Sequence, residues 1–419
     1  MTEEGLKGQA QQGKDLTEHA MLGDGLRLVN EADVSGKRVL LRVDFNVPIA
    51  NGKVSDNTRI HAVLPTLRYL IDNHARTIII AHQGRPKGEG YERKFSLAPV
   101  ARTLGKMINK DVPLTHDILG YQTREDIAAL KDGEVIMLEN LRFNPGEKGN
   151  DPGFAKDLAD LADIYVDDAF AAAHRAHASI SGVPQLLPSY AGFLMNKELG
   201  TFDRMLAVPA RPFVAILGGS KVSDKFKVID RLIEVVDSVI IGGAMCFVFM
   251  KAQGFEVGDS LMEEDWVQSA QGLIQKAADL GTRLLLPVDF VIASEVSEEA
   301  EVSVCDIAKG IPKGKMGLDI GPRTADLFSQ EVALGRTVFW NGPMGVFEVE
   351  PFSRGTRQVA TAVAMNSGAA TIIGGGDSIA AVNKFGYNDL VSFISTGGGA
   401  ALELIEGMEL PGIQALRRS

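Results

Sequence analysis

Three arginines follow apolar runs in the first half of the chain, Arg85 in HQGRP, Arg142 in ENLRF and Arg175 in AHRAH, and Arg59 follows RVDFNVP in DNTRI. A guanidinium offers a planar fork of donors that matches carboxylate and phosphate bidentately. Four of them at matching places in a chain of net charge −11 describe a local anion site for a small substrate carrying both groups. The same acidity argues against a surface built to neutralise nucleic acid or to lie on anionic lipid. His82, Asp44 and Asn46 stand in the same segments and add hydrogen-bonding groups. His174 and His177 are three apart, but no third ligand with suitable spacing accompanies them, so they read as donors to the substrate rather than as a zinc site. Asp44 is not required as a general base if the chemistry is phosphoryl transfer between groups that are already ionised. With Asn46 it suits contacts to substrate hydroxyls.

The second half is built differently. Its apolar runs end in Gly218-Gly219, Gly242-Gly243, Gly342, Gly374-Gly375-Gly376 and Gly397-Gly398-Gly399. Glycine lets backbone N–H groups approach phosphate oxygens, and a helix that starts there adds a partial positive charge. In FVAILGGSKVSDKFKVIDRLIEVV a strand meets Gly218-Gly219, and a helix then carries Lys221 and Lys225 on one face, where both amines could reach one anion. Solvated helix lysines are the bland alternative. In TIIGGGDSIAAV, Asp377 either caps the following helix or holds the Mg²⁺ that travels with a nucleotide, and the two roles are compatible. The chain lacks G-x-x-x-x-G-K-[ST] and has no G-x-G-x-x-G after its first strand, which argues against a P-loop NTPase and a common dinucleotide fold.

These residues need a scaffold, and the hydrophobic pattern supplies one. Short apolar runs at 39–43, 77–81, 135–138, 164–166, 213–217, 238–241, 283–286, 337–340, 371–373 and 391–394 alternate with polar turns and helical spacing. Nearly continuous apolar runs such as TIIIA and FVAIL predict strands buried on both faces, hence an α/β fold of parallel sheets covered by helices. Ligands then collect at the carboxyl ends of the strands, where the residues named above stand. A length of 419 residues with 45% hydrophobic composition predicts two domains. The break falls near 185–210, where apolar residues at helical spacing over 193–206 are followed by Val208-Pro-Ala-Arg-Pro212. Cys246 and Cys305, far apart, offer neither a disulfide framework nor a zinc site. No apolar run is long enough to span a bilayer, and residues 1–25 read as a polar extension rather than a targeting segment.

With RVDFNVP, HQGRP, ENLRF, AHRAH, LGGSKVSDK, GLDIGP, FWNGPMGVFE, GGGDS and STGGGAALELIEG in that order, the sequence resembles the phosphoglycerate kinase family from about Leu28 to its end. The resemblance implies a phosphotransferase with a carboxyl group as acceptor, exchanging 1,3-bisphosphoglycerate and MgADP with 3-phosphoglycerate and MgATP. It implies two Rossmann-like three-layer domains with a cleft between them. Residues 1–192 with 408–419 would bind the glycerate, 193–207 would be a connecting helix, and 208–407 would bind the nucleotide. Asp44, Asn46, Arg59, His82, Arg85, Arg142 and Arg175 would hold the substrate, and Arg59, Lys221, Gly376 and Gly399 would serve the transfer itself. Gly219, Lys225, Gly242, Gly317, Asn341, Glu348 and the loop Gly375, Gly376, Asp377 and Ser378 would hold the nucleotide, with Asp377 on the metal. A cytoplasmic monomer with hinge-bending domains is further implied. Departures from the family are Gln83 in place of the usual Leu, Ala171-Ala172 in place of Gly-Thr or Gly-Ala, and the long N-terminus. None removes a charged group. A non-catalytic nucleotide-binding module on the same fold and a dehydrogenase are the rival readings; intact Arg59, Lys221 and Asp377 argue against the first, and the missing dinucleotide fingerprint against the second.

Overall fold

The computed structural model describes residues 22–417, so most of the extension read at 1–25 lies outside the described residues. Two parallel sheets organise the chain. The first runs, edge to edge, Val135–Met137, Arg76–Ile80, Arg38–Arg42, Ile164–Asp167 and Ser189–Ala191. Every pairing in it is parallel, with Arg38 opposite Arg76 and Val39 opposite Ile164 at the start of the central strand. Alternate residues of each strand enter different cores: Leu40, Ile78 and Ile136 on one face, Val39, Leu41, Ile79 and Met137 on the other. A strand with both faces covered needs no polar alternation, which is why these runs are apolar throughout.

The second sheet runs Arg283–Leu285, Ser238–Ile241, Phe213–Leu217, Thr337–Asn341, Ala370–Gly374 and Phe393–Ile394, again wholly parallel. Its central strand splits in the same way, with Phe213, Ala215 and Leu217 on one face and Val214 and Ile216 on the other. The expected α/β architecture of two helix-covered parallel sheets is therefore the observed one. Three local expectations are corrected. The run at 391–394 contributes only Phe393–Ile394. The edge strand Ser189–Ala191 is additional, because three residues bounded by Pro188 and Gly192 carry little pattern. A separate antiparallel sheet of Asp289–Ala293, Ser303–Asp306 and Met316–Ile320 is also absent from the sequence reading.

The helix Phe193–Ala207 leaves the first sheet at Gly192 and ends ahead of the second. Its start is fixed by Asp168, whose Oδ1 accepts from the Met195 N–H at 3.1 Å. The side chain leaves no room for a Cβ at Gly192, which would lie 2.2 Å from Asp168 Oδ1. Helix Pro411–Arg417 returns to the first sheet's side, where Gly412 N–H donates to Ala173 O at 2.8 Å and Arg417 Nη2 to Leu22 O at 2.7 Å.

Candidate active site between the two sheets

At the carboxyl end of the first sheet, three of the predicted segments are tied into one floor. Gly84 N–H donates to Asn46 Oδ1 at 2.9 Å, and Gln83 grips Val47 at both its N–H (3.1 Å) and its carbonyl (2.8 Å). Asn140 joins the third segment to this pair, donating to Gln83 O at 2.8 Å and accepting from Gln83 N–H at 3.2 Å. Gln83, one of the departures from the family pattern, thus serves to lock two turns together. Arg142 lies buried on this floor with Nη1 on Gly84 O at 2.6 Å, while its Nε is buried without a partner. Arg59 pairs with Asp44, whose other oxygen accepts from Asn46 N–H at 3.0 Å. Arg175 reaches His174 Nε2 with its own Nε at 3.1 Å. Arg85 stands exposed at the rim and joins none of these bonds.

Burial first, and charge crowding after it, set the ionisation of this lobe. Burial, with Arg42, Arg142 and Arg175 around it, holds His82 well below the ordinary imidazole value. Burial and the same three arginines, Arg142 foremost, pull His177 down to about 3, and burial with Arg175 lowers His174. All three histidines are therefore neutral donors or acceptors near neutral pH, a charge state that the sequence leaves open. Burial and Arg175 bring even Arg142 down to about 10.

In the second lobe the backbone donors of two glycine turns are already engaged. The N–H groups of Gly218, Gly219, Gly242 and Gly243 are spent on the carbonyls of Asn341, Pro343, Leu217 and Met344 at 2.8–3.0 Å. These turns pack backbone on backbone: a Cβ at Gly243, where φ is +65°, would sit 2.4 Å from Gly219 N. Their glycines allow this close approach of the turns, and Gly219 and Gly243 at the same time line the neighbouring cavity. The loop at 375–378 differs, because helix Gly376–Phe385 starts there and its first N–H groups lack intrahelical partners. Gly375 at φ +86° makes the turn, and Ser378 Oγ accepts from Gly342 N–H at 2.5 Å. Asp377 lies exposed in the first helical turn and makes no capping bond, which removes the capping alternative.

Lys221 and Lys225 do not share a helix, whose first residue is Phe226. Ser223 is held by Glu263 at 2.6 Å and 2.9 Å, so the segment stays irregular and its two lysines diverge. Lys221 is exposed, whereas Lys225 Nζ turns inward to Gly218 O at 2.6 Å and Asn341 O at 2.9 Å. Beside them a cavity of about 320 Å³ is lined by Gly219, Phe247, Phe290, Gly317, Glu348 and Asp377, among others. Gly317 belongs in that wall because a Cβ there would lie 2.4 Å from Phe247 Cζ. Gly242 stands behind it, against the Met344 sulfur, and Asn341 stands behind the loop at 375–378, where a Cβ on Gly375 would meet its Nδ2 at 2.9 Å.

The two lobes meet at a smaller cavity of about 170 Å³. Thr58 and Arg59 line it from the first lobe, Gly375, Gly376, Thr396 and Gly398 from the second. A Cβ at Gly399 would come within 3.6 Å of His174 Nε2, and one at Gly397 would overlap Phe170. Residues expected on opposite sides of a transfer reaction thus face one gap. A family model described as phosphoglycerate kinase matches residues 29–408.

The chain belongs to the phosphoglycerate kinase family.

Curated relatives agree: the phosphoglycerate kinase of Moorella thermoacetica is 54% identical over 388 residues, 93% of this chain and 98% of that one. That of Thermosipho africanus is 50% identical over 390 residues, covering 93% and 97%. Among solved structures, phosphoglycerate kinase from Coxiella burnetii superposes with a TM-score of 0.84 at 43% identity, over 93% of this chain and 98% of its own. That from Pyrococcus horikoshii gives 0.82 at 35% identity, over 94% and 99%. The activity is accordingly that of a phosphoglycerate kinase, a phosphotransferase with a carboxyl group as acceptor. Within this chain, sequence reasoning misses Arg42, Glu147 and Glu198, all fully buried and all bonded to segments remote in the chain. No apolar run or turn marks such residues; only a buried charge inside an apolar stretch, as Arg42 is, could draw notice.

Proposed function

We propose that the arginine and histidine cluster of the first lobe binds the carboxylate and phosphate of 3-phosphoglycerate, and that the second lobe seats the nucleotide. Asp44, Asn46, His82, Arg142 and Arg175 form the acid site, and Arg85 closes on it from the rim. The adenosine occupies the larger cavity beside Gly317 and Glu348, and its phosphates run past Lys221 and Lys225 to the loop at 375–378. One observation carries this reading: Arg59 and Gly375-Gly376, from opposite lobes, line the same gap. Transfer there needs no base, since both reacting oxygens are ionised, and catalysis comes from positioning and from cations already in place as charge spreads over the equatorial oxygens.

Asp377 suits Mg²⁺ that arrives with the nucleotide, because that ion favours one or two carboxylates plus phosphate oxygens and water. It is an exposed carboxylate at the helix start that would face the phosphates, with no cluster of three or more metal-binding side chains among the described residues. When bound, the ion would neutralise phosphate charge. The protein's share is to hold the phosphates on the helix N-terminus, to supply Arg59 and Lys221, and to exclude water by closing the lobes. We take residues 1–192 with 408–419 as the acid-binding domain, 193–207 as the connecting helix and 208–407 as the nucleotide-binding domain, supported by the return of Pro411–Arg417 to the first sheet. Both halves of the site lie on one chain, which supports a monomer, and glycolytic chemistry supports the cytoplasm.

The deciding experiment is steady-state turnover of 3-phosphoglycerate with MgATP in folded Arg59→Ala and Lys221→Ala proteins. Each should lose ~10²–10³ in kcat, the usual cost of one well-placed donor. Wild-type turnover in either would reject its assignment.

A further inference from the structure

Beneath the acid site lies a charged network that no direct role in binding explains. Arg42 and Glu147 are both fully buried, and their charged groups lie 3.9 Å apart. Ser179 joins them more closely. Its hydroxyl accepts from Arg42 Nε at 2.8 Å and donates to Glu147 Oε1 at 2.7 Å, while its N–H donates to Glu147 Oε2 at 3.0 Å. Arg42 then reaches upward to His82 Nδ1 at 3.1 Å, and its third nitrogen is held on Val43 O. His177 Nδ1 lies 3.7 Å from the same Glu147 oxygen, too far for a hydrogen bond and uncharged at neutral pH.

A guanidinium can only donate, so His82 Nδ1 must accept and its ring proton must sit on Nε2. The tautomer of a residue in the acid site is thus dictated by Arg42, and the pose of Arg42 by Glu147 and Ser179. Glu147 itself is anchored on the short helix Pro145–Gly149, whose start Asn144 caps by accepting from Gly146 N–H at 2.8 Å.

We propose that Glu147 is a positioning residue for phosphoglycerate binding: through Ser179 and Arg42 it fixes His82 with its Nε2–H as a donor to the substrate. This rests on the reading that the acid substrate occupies the first-lobe cluster. Plain electrostatics makes the opposite forecast for the same residue. A carboxylate beneath an anion site repels the anion, so a residue that only tempered the field would, when neutralised, leave the substrate more tightly bound.

Glu147→Gln separates the two, because it keeps the shape and removes the charge that holds Arg42. Positioning requires KM for 3-phosphoglycerate to rise about tenfold, the scale of one hydrogen bond to a charged group, with KM for MgATP unchanged. It also requires long-range ¹H–¹⁵N spectra of the seven histidines to show His82 passing from a single Nε2–H tautomer to a mixture. A lower KM for 3-phosphoglycerate, or an unchanged KM with an unchanged His82 tautomer, overturns the proposal. Arg142→Ala runs alongside: if it too leaves that KM unchanged, the acid-site reading has failed and the proposal with it, whereas a large effect there beside a silent Glu147→Gln sinks the proposal alone. Should Glu147→Gln not fold, Ser179→Ala, which deletes the linking hydroxyl, takes its place: the same rise in KM and loss of the single tautomer support the proposal, and their absence overturns it.

Discussion

Glu198 and Thr396 are joined twice, the carboxylate Oε1 accepting from the Thr396 N–H at 2.7 Å and from its hydroxyl at 2.9 Å. The other oxygen accepts from Ser395 Oγ at 2.8 Å. Glu198 lies within the helix Phe193–Ala207, and Ser395-Thr396 leads into the glycines that touch the first lobe, so one buried carboxyl ties that helix to the gap lined by both lobes. Burial pushes this carboxyl up to about 7, although the three bonds pull the other way. Between its ordinary value near 4.5 and about 7, the unfolded chain has released the proton and the folded protein keeps it. The contribution to stability is thus complete below the lower value and lost as pH rises through the higher one. Glu198→Gln cannot ionise, and its amide can still accept from Thr396 and donate to Ser395. The melting temperature of this variant, relative to wild type, should climb by several degrees between about pH 5 and about pH 8. A difference that stays constant over that range would show that Glu198 does not titrate in the folded protein.

What the sequence discloses follows from how far each interaction reaches along the chain. Strands such as Phe213–Leu217 are buried on both faces and announce themselves as unbroken apolar runs. The antiparallel strand Ser303–Asp306 is half exposed, and SVCD after the acidic stretch at 298–301 carries no such mark. Arg142 and Arg175 draw notice because they follow strands, where ligand-binding side chains commonly stand, whereas Arg59 sits in the first turn of the helix Thr58–Asp72 and is marked only by the segment before it. Glu147 is not, since the partner that gives it meaning, Arg42, belongs to a strand whose link to Ser179 spans 137 residues. The spacing of Lys221 and Lys225 reads as one helix face; the bonds from Ser223 to Glu263, 40 residues on, hold that stretch out of the helix.

Gly342 tests the backbone packing of the second lobe. Its φ of +105° disfavours any side chain, and a Cβ there would lie 2.2 Å from Gly218 O and 2.6 Å from Lys225 Nζ. The first neighbour is backbone and cannot swing aside. Gly342→Ala should therefore lower stability by about 2–4 kcal/mol, the range for strain combined with overpacking. Urea denaturation reads this as a lower midpoint at constant slope. An unchanged midpoint would mean that the three glycine turns are not packed carbonyl to glycine as described.

Lys225 lies at the same junction, and its ionisation should be linked to nucleotide binding. Its amine donates to Gly218 O and Asn341 O, and burial brings it down to about 8 against the pull of Asp377 and Asp224. For stability, the folded lysine releases its proton near 8 while the unfolded chain holds it to 10.5. That contribution is complete above the higher value and lost as pH falls through the lower. Binding runs in the opposite sense, because a polyphosphate favours the charged amine and its affinity must decline once the free enzyme has given up that proton. Calorimetric titration with MgADP should show Kd rising about tenfold between about pH 7 and about pH 9, in line with loss of a single proton. In Lys225→Met the affinity should be weaker at the lower pH and level across the range. If the slope survives in that variant, another group carries the proton and Lys225 serves only to brace the turns around Gly218 and Asn341.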